Sequence, residues 1–247
     1  RRLVAYLFNT PDDIQSMLET IGADSIETFF EQVPHHLQLE QPLDLPPGLS
    51  EPELEAHLRQ LAAANHGTSS RVCLMGAGVY DHFIPAAVDE IASRGEFYTA
   101  YTPYQPEIAQ GSLQMLFEFQ TQVARLYGCA VANASLYDGS TACWEAVAMA
   151  TRVTRRKRAV LSGALHPHYA QVVKTMAQFP GDEIADSAPA IQPEADLEGL
   201  TARIDDQTAC VVVQYPDILG RPSDLTQIAE AAHAKGALLV VVNTEPV

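Results

Sequence analysis

Two stretches carry residues whose types and spacing could do chemistry. In Asp138-Gly139-Ser140-Thr141 a small-residue segment passes through a turn into a helix. Glycine lets a backbone approach closely, and serine and threonine supply hydroxyl donors. A helix start adds unpaired N–H groups and a positive end, which together make a phosphate cradle. The plainer reading is a helix cap by Asp138 or Ser140. The second stretch, residues 97–111, is polar and aromatic. It contains Tyr101, Tyr104 and Gln105, and Pro103 and Pro106 prevent a regular helix.

His166 is a third candidate, in Leu165-His166-Pro167-His168-Tyr169. A histidine at the carboxyl end of a strand can stack on a planar cofactor or move a proton. It can equally be the first residue of a helix. His35 and His36 read as surface residues, and His66, His82 and His233 lack metal-ligand spacing. No serine nucleophile elbow, zinc motif or complete phosphate loop is present. Lys157, Lys174 and Lys235 are the only lysines, and none follows a late strand where a cofactor-linking lysine would stand.

The elements that must position these residues follow from periodicity and caps. Thr10, Pro11 and Asp13 open a helix, and Asp24 with Glu27 signals a second one ending at Pro34. A proline-rich connector with Pro42, Pro46, Pro47 and Gly48 follows. Ser50 with Glu53 opens a helix with Leu54, Leu58 and Leu61 on its apolar face and residues 65–67 at its close. Gly76 and Gly78, after Met75, read as a backbone turn, and Pro85 starts a helix through Val88 and Ile91. A helix over 113–127 turns Leu113, Leu116, Phe117, Val123 and Ala124 inward, with Gly128 as its cap. Another helix covers 140–153.

Strands are predicted at 159–162, 209–214 and 237–242, and helices at 167–178 and from Asp224 with Gln227 to about Lys235-Gly236. The 209–242 part is a βαβ unit. Its Val/Leu/Ala strands predict a parallel sheet covered on both faces. The acidic residues 181–199, with Pro189 and Pro193, read as a surface connection. Arg155-Arg156-Lys157-Arg158 reads as a solvated loop. Ending at Val247, just past a strand, the chain reads as the front part of a larger protein.

Bulk properties exclude several functions. A formal net charge of -16 opposes binding to nucleic acid or an anionic membrane. No apolar run reaches the roughly 18 residues that span a bilayer, and the basic-then-apolar start at residues 1–8 is too short for a signal peptide. Cys73, Cys129, Cys143 and Cys210 show no pairing pattern, so a reducing cytoplasm is the default compartment.

The proline-aromatic string at 97–111, together with 132–142, resembles the glycine dehydrogenase (decarboxylating) of the glycine cleavage system, the P-protein. It is most similar to the first subunit found where that enzyme is split into two chains. Residues 21–34, the Pro46-Pro47-Gly48-Leu49-Ser50 connector and Gly76-Ala77-Gly78-Val79-Tyr80-Asp81-His82 fit the same family. The resemblance implies a fold-type I pyridoxal-phosphate-dependent transferase-like α/β fold. Residues 1–67 would be a helical N-terminal extension and 68–247 the front part of the large domain.

It also implies an activity. Glycine is decarboxylated through pyridoxal phosphate, and the aminomethyl group passes to the lipoyl arm of the H-protein. The second subunit carries the cofactor lysine. Asn243 stands where fold-type I enzymes usually place an aspartate toward the pyridine nitrogen. The expectation is therefore that Asp138, Gly139, Ser140, Thr141 and His166 form a vestigial cofactor pocket, while Tyr101, Tyr104 and Gln105 line the partner subunit's site. Two other readings stay open. One is a self-sufficient pyridoxal-phosphate enzyme of desulfurase or aminotransferase type, and the other is a catalytically silent scaffold subunit.

Overall fold

The computed structural model describes residues 8–39, 41, 43–74, 76–99, 101–188 and 193–245, the first three residues of 193–245 by backbone alone. Of the residues named above, Pro42, Met75, Ala100, Pro189, Val247 and the segment 1–7 lie outside the described residues. The chain divides into two compact units, Arg1–Gly67 and Thr68–Val247.

In the first unit, α1 (Pro11–Ile21) is capped as its sequence dictates. Thr10 Oγ1 accepts from the Asp13 N–H at 3.2 Å, and the Thr10 N–H donates to the Asp13 carboxylate at 2.8 Å. The second expected helix does not form. A short 3₁₀ turn, Ile26–Phe30, stands there and another, His35–Leu37, follows Pro34, and neither has a side-chain cap. Ile26, Thr28, Phe29 and Phe30 lose rotamer freedom in an α-helix, and so short a segment does not repay the cost of nucleation. In α2 (Glu51–Ala63) the Ser50 N–H and hydroxyl both donate to Glu53, at 2.8 and 2.6 Å. Leu54, Leu58 and Leu61 are exposed.

The second unit begins with α3 (Ala86–Ala92), α4 (Gly95–Tyr98) and α5 (Gln110–Tyr127), the last closed by Gly128 at φ 65°. Leu113, Leu116, Val123 and Ala124 are half-buried as expected. Phe117 is not: it is 69% exposed. Then come α6 (Gly139–Thr154), β1 (Arg158–Leu161), α7 (Pro167–Ala177), β2 (Glu183–Asp186), α8 (Pro193–Thr201), β3 (Thr208–Tyr215), α9 (Thr226–Ala234) and β4 (Leu238–Asn243).

The sheet is wholly parallel, in the order β2-β1-β3-β4. Strand alternation sends successive side chains to opposite faces. Ala159, Leu161, Cys210 and Val212 pack with Trp144, Val147, Val173 and Ala177 of α6 and α7. Val160, Val211 and Val213 pack on the other side with Leu200, Ile228 and Ala232 of α8 and α9. Each fully buried Leu, Ile or Val contributes about 1.5–3 kcal/mol. The α/β class, the parallel sheet and its cover of helices on both faces are as the sequence predicts.

Three local expectations fail. Residues 181–199 are not a surface connection, because they hold β2 and most of α8. A four-residue edge strand with acidic ends, Glu183 and Asp186, gives no apolar run to recognise. The α9 start is set by Asp224 without Gln227: Asp224 Oδ1 accepts from the Thr226 N–H and hydroxyl, at 2.9 and 2.6 Å.

Nor is the basic cluster wholly a solvated loop: Arg155 and Lys157 are exposed, but Arg156 and Arg158 are half-buried. Arg156 donates to the carbonyls of Thr208 and Lys235 at 2.8 and 2.7 Å. Lys157 donates to the Pro180 carbonyl, and Arg158 binds Glu183, Asp205 and the Arg203 carbonyl. Helix ends leave carbonyls unpaired, and these cations satisfy them.

Candidate functional site

The strand order fixes where a ligand crevice can lie. From β1 the chain passes outward to β2, then returns across β1 to β3 and β4. The order therefore reverses between β1 and β3, and in open α/β sheets ligands sit at the carboxyl ends of strands at such a point. Here those ends deliver Ser162 to His166 on one side and Gln214 to Asp217 on the other.

The turn after β1 is held from across the sheet. Asp196, on α8, is 6% exposed. Its carboxylate accepts from the Ser162 hydroxyl at 2.5 Å and the Gly163 N–H at 3.2 Å. Ser162 Oγ in turn accepts from the Ala164 N–H at 3.0 Å. The His166 N–H donates to Gln214 Oε1 at 2.8 Å, which ties the turn to the end of β3. The side-chain hydroxyl of Ser162 and the Gly163, Ala164 and His166 N–H groups of this turn thus each have a partner, as burial demands.

His166 caps α7, its Nδ1 accepting from the His168 N–H at 3.2 Å. Its ring stacks on Tyr169 at 4.8 Å and 29° and lies 5.1 Å from His168. Burial and the neighbouring His168 lower its pKa, which favours the neutral imidazole. Tyr169 links this histidine to the start of α6: a Cβ on Gly139 would lie 2.2 Å from the Tyr169 hydroxyl. Gly139 therefore allows a close approach, and Gly139→Ala must push Tyr169 off its stacking position. The expected cost is about 1–2 kcal/mol, checked by thermal melting together with loss of the ring-current shift on His166.

Asp138 caps α6. Its Oδ1 accepts from the Thr141 N–H at 2.8 Å and the Ser140 hydroxyl at 2.5 Å. Those donors hold its carboxyl below the usual carboxylate range, the Ser140 hydroxyl first among them. The structure thus brings Asp138, Gly139, Ser140, Thr141 and His166 to one place. Asn243 closes β4, and its buried Oδ1 has no hydrogen-bond partner among the described residues. The 76–82 turn lies against the residues after β4: a Cβ on Gly78 would lie 3.7 Å from the Thr244 side chain, and His82 pairs with Glu245 at 3.0 Å.

Tyr101 and Tyr104 are 83% and 78% exposed and pair with each other, ring centroids 6.0 Å apart and tilted by 46°. Gln105 is exposed beside them. No hydrogen bond or ring contact among the described residues joins the three to Asp138 or His166. Sequence reasoning missed Tyr169, Gln214, Ser162 and Asp196. Tyr169 could have been found from its i+3 spacing to His166 on a helix. Gln214 could have been found as the polar residue ending an apolar strand. Asp196 left no signal.

The fit to pyridoxal phosphate is poor. Two α6 donors that a phosphate could use, the Thr141 N–H and the Ser140 hydroxyl, already go to the Asp138 carboxylate. Asn243, the residue that ends β4, carries an amide and not the carboxylate that would hold a pyridine nitrogen protonated. The three lysines are engaged elsewhere: Lys157 with the Pro180 carbonyl, Lys174 with Asp186 and Lys235 with Asp206. The Cys143 and Cys210 thiols are pushed up by burial to about 11 and about 12, so neither is a ready nucleophile. Among the described residues no cluster of three or more His, Cys, Asp or Glu could hold a metal, and no helix is long and apolar enough to cross a membrane.

The family model of the glycine cleavage system P-protein matches residues 4–247. A protein of Erythrobacter litoralis named "Probable glycine dehydrogenase (decarboxylating) subunit 1" is 65% identical over 243 residues, covering 98% of this chain and 54% of the relative. One of the same name from Novosphingobium aromaticivorans is 57% identical, with the same coverage. The chain spans about half the length of the curated relatives it matches. A crystal structure of glycine decarboxylase (P-protein) of the glycine cleavage system, in inhibitor-bound form, superposes with a TM-score of 0.77 at 39% identity. It covers 98% of this chain and 53% of the other. That likeness agrees with the fold-type I α/β class expected from the sequence, and the chain belongs to the glycine cleavage system P-protein family.

Proposed function

We propose that the chain is part of the first subunit of a two-subunit, cytoplasmic, glycine-decarboxylating P-protein. Residues 1–67 form its helical N-terminal extension and 68–247 the front part of its large domain. Glycine is the substrate, and the aminomethyl product passes to a lipoylated H-protein. Pyridoxal phosphate, bound through a lysine of the second subunit, supplies the electron sink for decarboxylation.

This chain's residues do the surrounding work. Tyr101, Tyr104 and Gln105 present an aromatic, hydrogen-bonding wall that packs over the partner subunit's site and excludes water from it. Asp138, Gly139, Ser140, Thr141 and His166 are a vestigial pocket that keeps its helix cap and its histidine stack.

The observation that supports this reading is the family match over residues 4–247, and within those residues the three lysine amines are all engaged by other oxygen atoms. Pyridoxal phosphate titrated into the full-length subunit alone is expected to give no visible band of a lysine-bound cofactor. The same titration of the two-subunit protein is expected to give one. A band from the first subunit alone would overturn the assignment.

A further inference from the structure

We propose that the basic groove at the C-terminal end of α6 is a docking site for an acidic segment of a partner protein. The groove has a volume of about 320 Å³ and lies between the end of α6 and the residues leading into β1 and β2. It stands at the amino ends of the strands, the opposite edge of the sheet from the crevice. Arg156 reaches the carbonyls of Thr208, which opens β3, and of Lys235, just before β4. Lys157 reaches the Pro180 carbonyl ahead of β2. The proposal does not depend on which subunit holds the cofactor.

The charge here is opposite to that of the chain as a whole. Arg152, Arg155, Arg156 and Lys157 line the groove with one carboxylate, Asp182, in a chain of formal net charge -16. Arg156 and Lys157 give their N–H groups to backbone carbonyls, so their charge is not neutralised. Arg152 and Arg155 are exposed and make no hydrogen bond or ion pair among the described residues. Arg158, next along the chain, is different, because Glu183 and Asp205 neutralise it. The negative end of α6 gives a reason for Arg152, in its last turn. It does not account for four cations on one groove. Like charges held together repel, and an anionic occupant relieves that cost.

The shape and the surroundings select a protein carboxylate. Trp144, Ala148 and Pro180 add apolar lining beside the cations. A glutamate is a carboxylate on a short apolar stem. The stem can lie on that lining while the carboxylate meets the planar fork of Arg152 or Arg155. An acidic partner is repelled by the surface as a whole and attracted at this groove, which steers and orients it. A nucleic acid carries phosphates along an extended backbone, and beyond so short a groove they would meet the acidic surface.

Fluorescence anisotropy of a dye-labelled octaglutamate peptide, titrated with the full-length subunit at low salt, tests this. Saturable binding is expected, and about 0.5 M salt should weaken it at least about tenfold. Arg152→Glu with Arg155→Glu should weaken it at least about tenfold at low salt. Arg152→Gln with Arg155→Asn removes the charges without reversing them and should give a smaller loss. Asparagine also tolerates the left-handed backbone of position 155, at φ 57°. Arg59→Glu with Arg71→Glu makes the larger change in net charge elsewhere and should leave binding at the parent's strength.

Absence of saturable binding by the parent would overturn the proposal. So would binding that survives both Arg152/Arg155 variants with their fold intact by circular dichroism. Tighter binding of an oligothymidylate of the same length would overturn it in favour of a nucleic acid. Displacement of the peptide by an equal concentration of inorganic phosphate would overturn it in favour of a small-anion site.

Discussion

Asp196→Ala is expected to lower the stability of the second unit by about 3 kcal/mol. Its carboxylate is the acceptor for two donors inside a buried turn, the Ser162 hydroxyl and the Gly163 N–H. Alanine leaves both buried donors without their acceptor, at about 1–3 kcal/mol for each stranded group. In a unit spanning Thr68–Val247 that corresponds to a fall in Tm of about 6–12 °C.

The asymmetry of hydrogen-bond energetics supplies a control. Ser162→Ala with Asp196→Ala removes donor and acceptor together, and should recover part of the loss relative to Asp196→Ala alone. Calorimetry on the four members of the cycle checks both statements. A single-variant loss below about 1 kcal/mol would mean that the buried pair stabilises little. The turn also carries His166, so the stacking on Tyr169 should weaken in parallel, visible in the aromatic NMR shifts of the two rings.

Tyr101→Ala combined with Tyr104→Ala is expected to cut glycine–CO2 exchange by about 100-fold while the two subunits stay assembled. A misplaced or unshielded reacting group costs on that order. The two rings touch each other and are otherwise open. Their loss should therefore leave the fold of this chain unchanged, with a melting temperature within a degree or two. Gln105→Ala alone should give a smaller loss, about tenfold, the size expected if its exposed amide makes one hydrogen bond in the assembled site. Exchange at the parental rate in an intact complex would favour the silent scaffold instead. Loss of exchange together with loss of assembly would place the rings at the subunit contact.

These two predictions draw on different kinds of information. The Tyr101-Tyr104-Gln105 group was legible because proline, aromatic and amide residues cluster within a few positions of the chain. The Asp138 cap was legible for the same reason: the residue and its donors lie within three positions of one another. Asp196 was not legible, because its partner Ser162 is 34 positions away and its own helix lies in a segment that reads as acidic surface. The same limit hid Gln214, 48 positions from the backbone N–H that it accepts.

Sequence alone determined the class of fold, the three strands of the apolar core, most helix caps and the family. These are properties of periodicity and of neighbours along the chain. Tertiary structure decided the rest. It added β2 and α8, whose short or acidic segments carry no periodic signal, and it turned Arg156, Lys157 and Arg158 from presumed surface charges into braces on strand and helix ends. It also decided the state of the crevice. The sequence shows a glycine, two hydroxyl residues and an aspartate in a row, and that composition suits either a phosphate seat or a capped helix. Which of the two forms depends on where the carboxylate points and on Tyr169 arriving from the next helix, and only the packing of α6 against α7 sets those.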